Sequence, residues 1–197
     1  GALTGSDAVA DAAFRRAGVL RVDTIEDLFD MAEALAKQPN PRGPRLGLVT
    51  NAGGPAALAV DRLVAGGAQL AVLEPATLQA LDRVLPAHWS RANPVDILGD
   101  ASAGRFAQAV ELVCADANTD GVLVVLTPQA GTDAVATAEA LRRFSVPASG
   151  KPFLASFMGG AAVEAGEAVL NAAGIPTFKY ADRAAQIFSN MWRYQAD

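Results

Sequence analysis

The chain has almost none of the residues that build metal and redox centres. Its 197 residues include one cysteine, Cys114, and one histidine, His88. A single cysteine cannot close an internal disulfide, so nothing calls for an oxidising compartment. One His and one Cys cannot supply the usual nitrogen and sulfur ligands of a zinc site. Positive charge is also scarce: 16 Lys+Arg stand against 21 Asp+Glu, for a net charge of -5. There is no Lys/Arg run, which argues against nucleic acid and against an anionic membrane surface. No apolar run approaches the roughly 18 residues of a membrane span. Gly1 to Asp7 carries no basic n-region and no signal core, so the cytoplasm is the expected location.

What is present reads as a folded α/β chain. Hydrophobic residues are 51% and charged residues 19%, far from the composition of disorder. The length fits one domain, or one domain with an appended segment. Asp7 to Ala17 reads as a helix capped by Ser6 and closed by Gly18. Thr24 opens a second helix, Ile25 to Lys37, with Glu26 and Asp27 at its positive end. The breaker run Gln38-Pro39-Asn40-Pro41-Arg42-Gly43-Pro44 then marks a boundary. This gives an N-terminal helical segment over 1–44, which docks outside the next unit or is the tail of a preceding domain, and a second unit over 45–197.

In that second unit strands and helices alternate. Strands are expected at Arg45–Thr50, Gln69–Leu73, Gly121–Leu126, Pro152–Phe157 and Ile175–Phe178. Helices are expected at Pro55–Ala65, Pro75–Leu85, Ala103–Ala115, Asp133–Phe144 and Ala161–Ala173, with Asp182 capping a last one to about Tyr194. Ala87–Ala101 reads as a long loop. Gly121 to Leu126 (GVLVVL) is apolar on both faces, as a buried parallel strand is. Right-handed crossovers place helices on both sides of the sheet. The fold class is therefore α/β: a flavodoxin-like three-layer sandwich with a five-stranded parallel sheet in the order 2-1-3-4-5.

Ligands of open parallel sheets bind beyond the carboxyl ends of the strands, where the strand order reverses. Two loops should meet there: Asn51-Ala52-Gly53-Gly54-Pro55 and Thr127-Pro128-Gln129-Ala130-Gly131-Thr132. In the first, Gly53 and Gly54 permit positive φ and close approach. Pro55 suits the first helical position, and Asn51 adds a donor at the strand tip. The second offers Thr127, Gln129 and Gly131 ahead of a helix capped by Thr132. Two helix N-termini converging in this way make an anion site without a lysine. Each loop alone also reads as a tight strand–helix turn that binds nothing. Neither matches a dinucleotide or P-loop fingerprint, and there is no nucleophile elbow.

Other polar residues have structural readings. His88, with no Cys or acid beside it, is a loop histidine. Asp96 and Asp100 order their loop, and Asp100 or Ser102 caps the next helix. Cys114, mid-helix among apolar neighbours, is packing. Glu164 and Glu167 serve a helix dipole, while Gly159-Gly160 is a third possible close-approach loop. Ile187, Phe188, Met191 and Trp192 share a helix face that belongs to a core or domain contact.

Several runs together resemble a known family. They are Gly1-Ala2-Leu3-Thr4-Gly5-Ser6-Asp7-Ala8-Val9, Ala13 to Val22, Val49-Thr50-Asn51-Ala52-Gly53-Gly54-Pro55, Asn93 to Ala101, and Thr127-Pro128-Gln129. In this order, over essentially the whole chain, they are similar to ADP-forming acetyl-CoA synthetases, relatives of succinyl-CoA synthetase. The resemblance implies a flavodoxin-like ligase domain within a larger enzyme that converts acyl-CoA, ADP and phosphate to carboxylate, ATP and CoA through a phosphohistidine. It implies that Asn51 contacts the acyl substrate. It also implies that the amides of Gln129, Ala130 and Gly131 face carboxylate and phosphate. Pro128-Gln129 departs from the Gly pair that succinyl enzymes have there.

By the same resemblance no cofactor belongs to this chain. CoA, ADP/ATP and Mg are held by a CoA-binding domain and an ATP-grasp domain of the same protein or a partner subunit. The phosphohistidine of the family lies just before the Gly-Ala-Leu run, so the chain alone is expected to be catalytically inert. Closely similar ligase motifs occur in fused protein lysine acetyltransferases, where the synthetase-like part is regulatory. That is the alternative reading. A plain flavin or receiver module is disfavoured, because Asn51 to Gly54 lacks both the Ser/Thr of a flavin phosphate loop and the clustered acids of a receiver.

Overall fold

The computed structural model describes residues 6–145 and 150–196. Two helices come first, α1 (Asp7–Arg16) and α2 (Ile25–Lys37). α2 starts where expected, with a capping box: the Thr24 hydroxyl accepts the Asp27 amide and the Asp27 carboxylate accepts the Thr24 amide. Then follow β1 (Arg45–Thr50), α3 (Gly53–Ala65), β2 (Gln69–Leu70), α4 (Pro75–Val84), β3 (Val95–Asp96) and α5 (Ala103–Ala115). The chain continues through β4 (Gly121–Leu126), α6 (Ala134–Leu141), β5 (Phe153–Phe157), α7 (Glu164–Ala172) and α8 (Ala181–Ala196).

The sheet is parallel, with the path β2-β1-β4-β5 and β3 added onto β1. The expected sequence of neighbours is kept, but the membership of the sheet differs. Ile175–Phe178, expected as a full strand, touches β5 through one bridge between Ala155 and Thr177. Gln69–Leu73 is trimmed to two residues, and the expected 87–101 loop contains β3. One side chain accounts for both changes. Asn93 Oδ1 accepts the Leu48 amide, and its Nδ2 donates to the carbonyls of Leu46 and Ala71. This side chain occupies the β1 edge after β2 has left it and before β3 joins it.

Alternation along the strands divides the interior. Val122, Val124 and Leu126 of β4 face a core shared with α4, α5, α6 and α7. Leu123 and Val125 face a second core with α3 and α8. Gly121 lies under the Phe188 ring, where a Cβ would collide. Of the expected apolar stripe on α8, Ile187, Phe188 and Met191 are buried in the second core. Two helix starts differ from the expectation. α8 begins at Ala181, so Asp182 lies inside its first turn, and a 3-10 turn (Gly160–Ala162) precedes α7.

α2 docks on this layer. Met31 and Ala34 join the second core, and Arg183 of α8 pairs with both Asp27 and Asp30. Just past α2, the Gln38 side chain accepts the Phe153 amide at 2.9 Å and donates to the Gly174 carbonyl at 2.7 Å.

At the opposite end of the sheet from the strand tips, Arg45 grips Asp120 through Nε at 2.8 Å and Nη2 at 2.9 Å. Burial pushes the Asp120 carboxyl up, but the bonds from Arg45 outweigh it and hold the group below its ordinary value. A carboxyl with a depressed folded pKa contributes stability above its unfolded value, about 3.9. That contribution is lost as pH falls through the folded value. Asp27, lowered by Thr24 and Arg183 against its own burial, has the same sign. Urea midpoints should therefore fall steeply from about pH 4 downward, and Asp120→Asn should flatten that acid limb while lowering the neutral plateau.

Candidate functional site

The two candidate loops do meet, and Asn51 is the reason. It lies at the tip of β1, 2% exposed. Its Nδ2 donates to the Thr127 carbonyl at 2.8 Å, and its Oδ1 accepts the Thr127 amide at 2.8 Å. Gln129 Nε2 donates back to the Asn51 carbonyl at 3.1 Å. The Asn51 amide group thus behaves as one more rung between β1 and β4, beyond the last backbone pair. One of its two Nδ2 hydrogens is used within the chain itself.

The first loop is built differently from the expectation. Thr50 Oγ1 accepts the Ala52 amide and donates to the Ala52 carbonyl, so Ala52 becomes the extended N-cap and α3 begins at Gly53. Gly53 and Gly54 are helical rather than positive in φ, and Pro55 stands third in the helix. The displacement preserves the chemistry. The amides of Gly53 and Gly54 have no acceptor among the described residues, and both residues are exposed. Pro55 has no amide to satisfy. A Cβ on Gly54 would meet open space, so an incoming group can approach this backbone closely.

The second loop is less open than expected. Thr132 does not cap α6; its hydroxyl accepts the Gln129 amide at 3.0 Å. Asp133 is the N-cap and accepts the Ala136 amide at 2.8 Å. Its carboxylate partly cancels the positive end of α6. Gly131 has φ +92° and is exposed beside Ala130; their amides have no acceptor among the described residues. Of the two helix N-termini, that of α3 has no acid in its own cap or first turn, although the Asp96 carboxylate of β3 stands 3.4 Å from where a Cβ on Gly53 would lie.

A third wall is contributed by the segment after β3. β3 delivers Asp96, whose Oδ1 accepts the Leu98 amide at 3.0 Å. Leu98 is left-handed at φ +72°, which turns Gly99 under the Gln129 side chain; a Cβ there would collide with the Gln129 amide. The signal was the glycine at 99, which needed a close neighbour. Asp100 pairs with Arg105, while Ser102 is the cap of α5.

The remaining polar residues stand apart. Gly159 packs against Pro128, so its missing Cβ makes room for the chain itself. Burial, and secondarily Glu164, push the Glu167 carboxyl up. Burial pushes the Cys114 thiol to about 12, which makes it an unreactive packing residue. His88 is exposed on its loop. Among the described residues no group of three His, Cys, Asp or Glu is arranged to hold a metal, and no helix is long and apolar enough to cross a membrane. Two concavities of about 450 and 480 Å³ lie elsewhere, between α1 and α8 and over the start of α8. Neither includes Asn51, Gly53 or Gln129. The site is an open rim with amide donors, and a ligand there needs a second surface to enclose it.

Two family models match this chain. One, described as a succinyl-CoA ligase like flavodoxin domain, matches residues 1–35; the other, a Ligase-CoA domain, matches residues 46–195. Acetate–CoA ligase [ADP-forming] I of Archaeoglobus fulgidus is 39% identical over 194 residues, which are 98% of this chain and 27% of that protein. Acetate–CoA ligase [ADP-forming] II subunit alpha of Pyrococcus furiosus is 36% identical over 91% of this chain and 40% of its own length. Among solved structures, PH0766 from Pyrococcus horikoshii OT3 superposes with a TM-score of 0.89 at 34% identity, covering 98% of this chain and 45% of that one. A dinucleotide forming acetyl-coenzyme A synthetase 1 of Ca. Korarchaeum cryptofilum, in complex with phosphate and ADP, also gives 0.89 at 27% identity, over 99% of this chain and 42% of its own. The chain spans less than half the length of each of these relatives. With the Ligase-CoA model covering residues 46–195, the chain belongs to the Ligase-CoA domain family.

Proposed function

We propose that this chain is the ligase portion of a multidomain NDP-forming acyl-CoA synthetase, and that its strand-tip rim binds phosphate and acyl substrate opposite a phosphohistidine. The observation that carries this is the pair of unpartnered amides at Gly53 and Gly54. They lie at the start of a thirteen-residue helix, beside the loop where the strand order reverses. Such an end carries roughly half a positive charge and aims its donors outward. It stabilises a phosphoryl group without a counter-ion that must later be displaced. Asn51 positions the rim, bringing Thr127, Gln129, Ala130 and Gly131 to the same edge. CoA, nucleotide and Mg are held by other domains or a partner subunit, in the cytoplasm. The rim residues include no nucleophile and no cationic clamp, both of which phosphoryl transfer requires.

The reading is tested first on the chain itself. Inorganic phosphate and acetyl phosphate, titrated into ¹⁵N-labelled protein, should shift the Gly53 and Gly54 amide resonances most, with the weak affinity of an open half-site. Shifts scattered over the surface, or none, count against it. The chain alone should form no ATP from acyl-CoA, ADP and phosphate, whereas the multidomain protein carrying it should; steady turnover by the chain would refute the division of labour.

A further inference from the structure

The least satisfied part of the molecule is its first two helices. α1 buries none of its ten residues. Isolated helices of that length are marginal in water. Its tether is Arg21, which pairs with Asp7 and Asp11 from the linker side. α2 is satisfied on one face only. Asp27, Met31, Ala34 and then Gln38 face this domain. On another face Ile25, Leu28 and Phe29 stand 75%, 56% and 69% exposed, and Ala32 and Ala36 continue the stripe. That is the i, i+3, i+4, i+7, i+11 spacing of a helix that buries two faces.

We infer that α2 is shared between two domains: it docks on α8 through Arg183, and its Ile25–Leu28–Phe29 stripe, with α1 beside it, is covered by the rest of a second flavodoxin-like domain. The occupant follows from the family matches. Residues 1–35 match the model of a flavodoxin-like domain, yet the described residues among them form helices and no strand. An α/β domain needs a sheet for its helices to cover, and about 35 residues are too few for a core of their own. The relatives supply the room, since this chain spans 27% of the Archaeoglobus protein and 40% of the Pyrococcus subunit. The complementary surface is the apolar face of a parallel sheet, which takes a stripe of Ile, Leu and Phe as α3 and α8 are taken here. The two carboxylates paired with Arg183 then fix how one domain sits on the other.

The inference concerns packing, so its test reads stability rather than catalysis and is independent of what the rim binds. Hydrogen–deuterium exchange is compared for this chain and for the longer polypeptide in which it follows the preceding part of the parent protein. The chain alone should sediment as a monomer, with α1 exchanging at nearly unprotected rates. In the longer polypeptide, α1 and the exposed half of α2 should gain at least a hundredfold protection. Phe29→Glu should lower the melting temperature of the longer polypeptide and leave that of the chain unchanged; Val72→Glu, at a surface site distant from α2 in sequence and fold, should do neither. Unchanged exchange in the longer polypeptide overturns the inference even if the variant fails to fold. A dimer of the chain that Phe29→Glu dissolves overturns it in favour of a second copy.

Discussion

Gly54→Asp is expected to cost a synthetase carrying this chain about 10²–10³-fold in turnover, the range lost with a donor to a developing oxyanion. The chain itself should be no less stable. The Cβ enters open space. The residue is second in α3, where a carboxylate gains about 0.3–1 kcal/mol from the helix end. Leaving glycine behind gains up to about 1 kcal/mol more. Urea unfolding of the chain and steady-state assays of the multidomain protein would thus move in opposite directions. Unimpaired turnover in Gly54→Asp would remove the α3 amides from the reaction. Gly54→Ala is the matching control: it keeps the amide, adds no charge, and should retain most of the activity.

Asn51→Ala should do the reverse, damaging the fold before the chemistry. It strips the Thr127 amide and carbonyl of their partners at the buried end of β4. With about 1–3 kcal/mol for each of the two groups left unsatisfied, the loss is about 2–6 kcal/mol in denaturant unfolding. Asn51→Asp separates the two contacts: it keeps an acceptor for the Thr127 amide, loses the donor to the carbonyl, and buries a charge. A loss below about 0.5 kcal/mol for Asn51→Ala, within the range of ordinary surface substitutions, would mean that the two loops are held together by something else. This role stands beside that of the substrate-contacting asparagine implied by the family resemblance, since one Nδ2 hydrogen of Asn51 has no partner among the described residues.

What the sequence made legible was whatever local chemistry decides. Thr24 with Asp27 wrote the start of α2, the Pro39–Pro44 run wrote its end, and GVLVVL could only be a central strand. The meeting of the 51–55 and 127–132 loops followed from topology, since alternating strands and helices leave few ways to order the sheet. Where one side chain had several partners to choose from, near or far, the sequence was mute. Pro55 looks like a first helical residue until Thr50 folds back on Ala52 and starts α3 two residues sooner. Thr132 looks like a cap until Gln129 takes its hydroxyl and leaves Asp133 the role. Asn93 carries no local mark of its three bonds to backbone 22 to 47 residues away. Gly99 becomes intelligible once Gln129 is seen above it.

The Asn93 side chain has a further consequence. A parallel strand with a bare flank is a template for intermolecular pairing, and β2 guards only the first two residues of β1. Asn93 occupies the flank at Leu46 and Leu48 that a stray strand would otherwise occupy, and β3 closes the remainder at Val49 and Thr50. One amide therefore shields this flank of β1 from edge-to-edge pairing, and it does so from a position remote from the 51–55 and 127–132 loops.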